Sequence, residues 1–546
     1  MIIRLRELIL PLNHSEKQLK EAAARRLAIA KSEIRSLRLV RKSIDARKKR
    51  ICFSYIVDLE VDDKLSFPEK IARVIEPEEQ AGAVHLTPGT EGLAQSPIIV
   101  GAGPAGLFCA LYLARHGYRP VLLEQGQDID RRVKSVERFW KKAELNPRSN
   151  VQFGEGGAGS FSDGKLTTRI DDKRISYVLR SFVEFGADEE ILYMKKPHVG
   201  TDAIRQVVKN MRQEILGLGG ECYFDACLTD IKVNHSLLES IIINHETEVP
   251  CSLLVLAVGN SARDVYRLLY RRGVSLIPKA FAVGVRVEHP QSLIDRIQFG
   301  KYAGHPRLGA AEYNLSHHEK ESRPCYSFCM CPGGYVIGAS SAAGQLVTNG
   351  MSYRARNSGV ANSALVVGVN PADWDNQTLG GLEFQEKLER QAFIMGGGNY
   401  HAPAQYLKDF LLQLPSYSLE DSLATYQPGV KASNLWELFP AEICHTMQRG
   451  IEAWGRKLRG FISEKAVITG VETRTSAPLR ILRQENLSSV DIDNLYPCGE
   501  GAGYAGGIIS SAIDGLKVAE RIISTYQKPA RKVKVNSNSV CDAREL

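Results

Sequence analysis

Two sets of residues in this chain have types and spacings that could do chemistry. The first is a run of glycines, Gly101-Ala102-Gly103-Pro104-Ala105-Gly106, with an acid, Glu124, 23 residues past Gly101. Gly101 permits a tight turn, Gly103 lets bare backbone approach a diphosphate, and Gly106 lets a helix pack closely on a strand. The free N–H groups of that helix start carry partial positive charge toward phosphate. Glu124 is placed to accept hydrogen bonds from an adenosine ribose. The second set is a glycine-rich loop at 154–166 bearing Ser160, Ser162 and Lys165, together with His198 and the cysteines Cys325, Cys329 and Cys331. Lys165 would steady negative charge on a reduced cofactor ring. Cys329 and Cys331 would exchange electrons as thiols, and His198 would act as a general acid or base.

Each candidate has a plainer reading. The loop can be a structural turn with Lys165 in solvent. Alternate cysteines can lie on one face of a buried strand near the cofactor, which is favoured, because a Cys329–Cys331 disulfide is strained at that spacing. A zinc site wants four ligands, and no matching second pair accompanies the cysteines, so no metal is expected. Thr201 and Asp202 read as a helix cap after His198. Arg286 and His289 either bind an anionic substrate or pair with Glu288. His317 and His318 sit in a polar loop.

These residues need elements to hold them. Apolar runs before Gly101 and before Glu124, with a helix between, make the strand–turn–helix–strand–acid order of a βαβ dinucleotide unit. A buried strand at 253–257 ends in Val258-Gly259. A third, at 494–497, runs into Gly499-Glu500 and then Gly506-Gly507-Ile508, followed by a helix at 512–526. Such a chain returns twice to the same parallel sheet. The acid at 500 reaches a ribityl chain, and the last helix aims its N-terminus at a flavin pyrimidine ring, whose reduced form carries negative charge. Together these pieces select FAD. No second fingerprint with its own strand and acid is legible, so NAD(P)H is expected only as a transient visitor. The residues expected to hold FAD are Gly101, Gly103, Pro104, Ala105, Gly106, Glu124, Arg132, Gly159, Ser160, Val258, Gly259, Gly499, Glu500, Gly506, Gly507 and Ile508.

The fold expected is α/β: a discontinuous Rossmann-type FAD domain of the glutathione-reductase kind (97–276 and 471–527), an inserted α+β substrate or cap domain (277–470), and a small α+β domain at 1–90. Within that N-terminal domain the patterns predict strands at 2–10, 34–44 and 51–61, a helix at 15–29 and a second helix opening at Phe67. Residues 80–96 read as a linker and 528–546 as a polar, mobile tail. The net charge of +8 is uneven, since the first fifty residues hold fifteen Lys and Arg against five Asp and Glu. Such a basic module either binds nucleic acid or is simply a solvated surface, and the second is favoured. No run of about 18 apolar residues is present, so no membrane span is expected. The first residues do not read as a signal peptide, and eleven cysteines, many within apolar runs, point to reduced thiols and a cytoplasmic protein.

The chain resembles a bacterial and plastid family of FAD-dependent dehydrogenases (NAD(FAD)-utilising dehydrogenases), distantly similar to geranylgeranyl reductases and other single-Rossmann flavoproteins. The resemblance covers nearly the whole length. It rests on Ser43-Ile44-Asp45-Ala46-Arg47-Lys48-Lys49, Gly159-Ser160-Phe161-Ser162-Asp163-Gly164-Lys165-Leu166, Pro197-His198-Val199-Gly200-Thr201-Asp202, Phe328-Cys329-Met330-Cys331-Pro332-Gly333-Gly334 and the glycine-rich stretch 499–508. Glu500 departs from the wider flavoprotein pattern, where many relatives carry Asp. The resemblance implies FAD and this fold, and no particular substrate. The function expected is hydride transfer through flavin N5 to or from an unknown small molecule or redox partner. Two other classes stay open: a flavoprotein recruited to RNA through Arg47, Lys48, Lys49 and Arg50, and an electron-transfer protein without a small-molecule substrate of its own.

Overall fold

Alternating apolar residues build the first sheet. In strand Ile2–Pro11, Ile3 and Leu5 are buried, then Leu8 and Leu10. A bulge between Leu5 and Leu8, with Glu7 at φ 60°, absorbs the extra residue, so both halves keep their apolar face inward. Helix Glu16–Leu27 covers that face with Leu19, Ala23, Ala24 and Leu27. Ser15 caps it through a reciprocal pair: the Gln18 N–H donates to Ser15 Oγ, and the Ser15 N–H donates to Gln18 Oε1. In this computed structural model all residues are described except 48, 49, 69, 76–85, 321, 534 and 536–538.

The antiparallel strand order here is Ser36–Asp45, Cys52–Glu60, Ile2–Pro11, Ala72–Val74. The helix expected to open at Phe67 does not form. A turn closed by the Ile71 N–H on Pro68 O leads straight into Ala72–Val74, and pairing on the edge of Ile2–Pro11 satisfies that backbone instead. Several of the cations are matched. Arg4 and Arg38 share the buried Asp58, Arg35 reaches Asp62, and Arg47 pairs with Asp45. Lys48 and Lys49 lie outside the described residues.

The second sheet is the α/β layer. Its order is Leu495–Pro497, Leu254–Leu256, Ile98–Val100, Val121–Leu123, Glu221–Phe224, all parallel, with Cys541–Asp542 antiparallel at the edge. Each central strand is three residues long, and its middle residue faces one way. Ile99, Leu122 and Val255 pack on helices Pro104–Arg115, Thr201–Gly217 and Ile508–Thr525. Their neighbours Ile98, Val100, Val121, Leu123, Leu254 and Leu256 face the antiparallel meander Leu228–Asn234, Leu237–Ile243, Thr247–Pro250. A sheet buried on both faces has to read as continuous apolar runs, and these do. The tail is not loose throughout. Val533 and Val535 are buried in the meander-side core, and Cys541–Asp542 closes the sheet edge.

The third sheet has seven strands, in the order Ser316–His317, Cys325–Cys331, Val360–Val369, Phe281–Pro290, Val467–Glu472, Ala402–Tyr406, Val430–Ala432. Its long strand Phe281–Pro290 sends Val283, Val285 and Val287 into a core with helices Gly380–Met395 and Ala441–Lys457. The period of two then puts Arg286 and Glu288 on the opposite face.

Candidate functional site

The fingerprint turn shows why each glycine stands where it does. Gly101 has φ +106°, and a Cβ there would meet Ala257 O at 2.3 Å. At Gly106 a Cβ would lie 1.8 Å from Gly101 O, so helix Pro104–Arg115 could not close on its strand. Gly103 differs. The nearest atom to its Cβ would be Gly157 Cα at 3.8 Å, so only bare backbone of two glycines borders the slot. Pro104 has no N–H and the Leu107 N–H already donates to Gly103 O, which leaves the amides of Ala105 and Gly106 free at this helix start.

The second helix start is built the same way. Positions 506 and 507 have nothing within 4 Å of an added Cβ, and neither does Gly259. The amides of Ile508, Ile509 and Ser510 precede the bond from Ser511 N–H to Gly507 O. Gly499, at φ +76°, is packed against Ala105, and its N–H donates to Asp514. It shapes the turn and does not reach the cavity wall. Glu500 does, and its Oε1 accepts from Asn260 Nδ2 at 2.7 Å. Burial pushes its carboxyl up to about 7.

Glu124 lines the same cavity, at the end of strand Val121–Leu123. Its Oε2 accepts from Ala102 N, and its Oε1 from both Gly126 N and Gly154 N. The acid thus clasps the fingerprint turn to the 154–166 loop. Arg132, expected to touch FAD, instead stands behind that loop. It is fully buried, and its guanidinium donates to the carbonyls of Asn150, Val151, Gly154, Glu155 and Gly157 at 2.6–3.2 Å. Buried behind the loop and outside the cavity lining, it positions the loop. Burial lowers it to about 9, still charged at neutral pH. Ser160 is likewise sealed: its Oγ donates to Glu155 O and its carbonyl accepts from Thr201 Oγ1. Thr201 is therefore the first residue of its helix and a tie to the loop, with Gly200 at the cap position and not Thr201 or Asp202.

One cavity gathers these elements. Its Rossmann-side wall includes Gly101, Gly103, Pro104, Ala105, Glu124, Gly159, Val258, Gly259, Glu500, Gly506, Gly507 and Ile508. The third sheet supplies Phe328, Cys329, Cys331, Asn349, Gly350 and Glu472, and the loop adds Asp163 and Lys165. Gly106, Arg132, Ser160 and Gly499 stay behind the surface. His198 is also outside it. Its Nε2 faces Arg354 O at 3.3 Å, and its backbone bridges Lys165, so it braces the loop from outside the cavity lining. Burial and nearby Arg356 lower its basicity.

Register decided the rest. A bulge between Phe328 and Cys331 puts Cys329 at φ +43° and turns it toward the cavity, where it is exposed, while Cys331 is buried beside it. Surrounding protein pushes the Cys329 thiol up to about 12 against the pull of Arg286 and Lys165. Arg286 pairs with Glu472, at 3.0 and 3.2 Å, and not with Glu288. Glu288 accepts from Thr425, and His289 bonds Phe461 O and is lowered to about 4. Asn260, Asn349 and Glu472 were missed in the sequence. Asn260 was within reach, since it directly follows Val258-Gly259; the other two carry no local signature. Among the described residues no group of three His, Cys, Asp or Glu is arranged to hold a metal.

FAD fits this cavity. It demands a Cβ-free slot with free amides for its diphosphate, and Gly103 and Ala105 at the helix start supply that. Residues 280–475 match a family described as "FAD-dependent protein, C-terminal domain-like", 99–151 an NAD(P)-binding Rossmann-like domain, and 2–60 a domain of unknown function (DUF8436). A Clostridium beijerinckii protein, itself described as uncharacterized, is 47% identical over 534 residues, 97% of this chain and 100% of that one. Solved structures with a similar fold include glycine oxidase from Bacillus cereus (12% identity, 80% of this chain and 98% of that one, TM-score 0.34). Another is a geranylgeranyl bacteriochlorophyll reductase-like protein from Thermoplasma acidophilum (12% identity, 79% and 78%, TM-score 0.35). Fold and site define a flavoprotein, with FAD as its cofactor and the architecture of FAD-dependent oxidoreductases. The chain belongs to the FAD-dependent protein family that it shares with the Clostridium beijerinckii protein. No helix among the described residues is long and apolar enough to cross a membrane.

Proposed function

We propose that this protein is an FAD-dependent oxidoreductase acting on a small molecule, with NAD(P)H as a transient donor that docks at the cavity and has no domain of its own. Bound FAD supplies hydride transfer at ring nitrogen N5. The observation that carries the reading is that the cofactor groove and the third sheet share one cavity, so a substrate can reach the same space.

The chain's own residues divide the work. The helix start at Gly103 and Ala105 holds the diphosphate, and Glu124 and Glu500 accept from the sugar and ribityl hydroxyls. Gly506 and Gly507 let the backbone lie flat under a ring, and the Ile508–Thr525 helix start favours negative charge there. Lys165 adds a fixed positive charge on the opposite loop. The third sheet excludes water with Phe328 and its packed neighbours. Anaerobic addition of NADH or NADPH to the purified protein should bleach the flavin absorbance within the mixing time or shortly after. Protein that retains FAD, is reduced by dithionite and ignores both nucleotides would remove the nicotinamide donor from this reading.

A further inference from the structure

The third-sheet wall of the cavity has an uneven balance of donors and acceptors. Its carboxylates are engaged: Asp163 accepts from Arg356 Nε at 3.0 Å and from Ser352, and Glu472 is matched by Arg286. Arg286 spends all five of its N–H groups, on Glu472, Cys329 O, Asn362 and Asn349, and Arg356 does not line the cavity. Lys165 Nζ sits 3.7 Å from Asp163, beyond hydrogen-bond distance, so its N–H groups remain for the cavity. Asn349 is turned by two bonds to its Oδ1, from Gly350 N at 2.8 Å and Arg286 Nη2 at 3.3 Å. Its Nδ2 has no partner among the described residues. Cys329, swung inward by the bulge, keeps its proton and adds an S–H.

We infer that Lys165, Asn349 and Cys329 form the docking site for the carboxylate of a monoanionic substrate. Surplus donors and satisfied acceptors fit an anion. One ammonium without a spare arginine fork fits a single charge better than a phosphate. Phe328 beside them gives the rest of the molecule an apolar surface. The cofactor does not compete for these groups with its diphosphate, which has the free amides near Gly103. This assignment deepens the oxidoreductase reading and rests on it.

The test is calorimetric titration of the FAD-loaded protein with benzoate and, as the uncharged match, benzamide. Benzoate should bind and benzamide should not. Lys165→Met and Asn349→Asp, each loaded with one FAD per chain, should weaken benzoate roughly 10- to 100-fold, the loss of a charge-assisted hydrogen bond. Equal binding of the amide, wild-type affinity in both variants, or no benzoate binding to FAD-loaded protein overturns the assignment. Protein that is reduced by a nicotinamide nucleotide yet ignores benzoate sinks this inference alone. Colourless protein that takes up no FAD sinks both.

Discussion

Replacing Gly103 by Val separates cofactor binding from folding more sharply than any other change at this site. The backbone at 103 has φ −79°, which any residue adopts, and an added Cβ would find Gly157 Cα no nearer than 3.8 Å. The protein without cofactor should therefore lose no more than about 1 kcal/mol, mainly from a β-branched residue at a helix cap. The branched side chain fills the slot between two glycines through which a phosphate must reach the free amides at this helix start. Losing two charge-assisted bonds of about 1.5–3 kcal/mol each weakens FAD by roughly 10²- to 10⁴-fold. The contrast is Gly106→Ala, where the new Cβ lies 1.8 Å from Gly101 O. That clash forces the helix off its strand and costs about 3 kcal/mol or more in stability. Denaturant unfolding of both variants stripped of cofactor, with FAD stoichiometry by absorbance, reads the two effects apart. A Gly103→Val protein that keeps one FAD per chain would falsify the placement of the diphosphate.

Other outcomes follow from the buried polar groups. Arg132→Lys leaves carbonyls of the 150–157 loop without donors, so stability should drop by about 2–3 kcal/mol and proteolytic cutting in that loop should rise. Glu288 holds its proton to about 7 when folded, against 4.5 when free. The folded state thus binds more protons between those values, and stability falls as pH rises through that window. Glu288→Gln should flatten this fall by up to about 3 kcal/mol in pH-dependent unfolding, and an unchanged slope would contradict the assignment. Cys329→Ser keeps a donor at the wall, so it should retain most benzoate binding, whereas Cys329→Val should weaken it several-fold by the same titration.

The parts legible in the sequence are those set by neighbours along the chain. A turn that needs φ +106° at residue 101, a helix that needs Gly106, and short apolar strands buried on both faces are local demands, and they appear as residue types at fixed spacing. They sufficed to identify the parallel sheet, the two helix starts and FAD. Local patterns misled where a segment had two ways to satisfy its backbone, as at Phe67, which entered a strand edge, and at the tail, whose Cys541–Asp542 found the open side of Glu221–Phe224.

The third-sheet wall of the cavity was decided by tertiary structure. Strand alternation places Arg286 and Glu288 on one face but does not say which acid meets the guanidinium; the answer, Glu472, lies 186 residues away. Arg132 is expected from the sequence among the FAD contacts, yet the fold turns it inward to five carbonyls. Cys329 reaches the cavity only because a bulge shifts the register of Cys325–Cys331 against Val360–Val369. Spacing along a chain determines backbone geometry within a few residues, whereas charge partners are selected by packing, once distant strands have been brought into register.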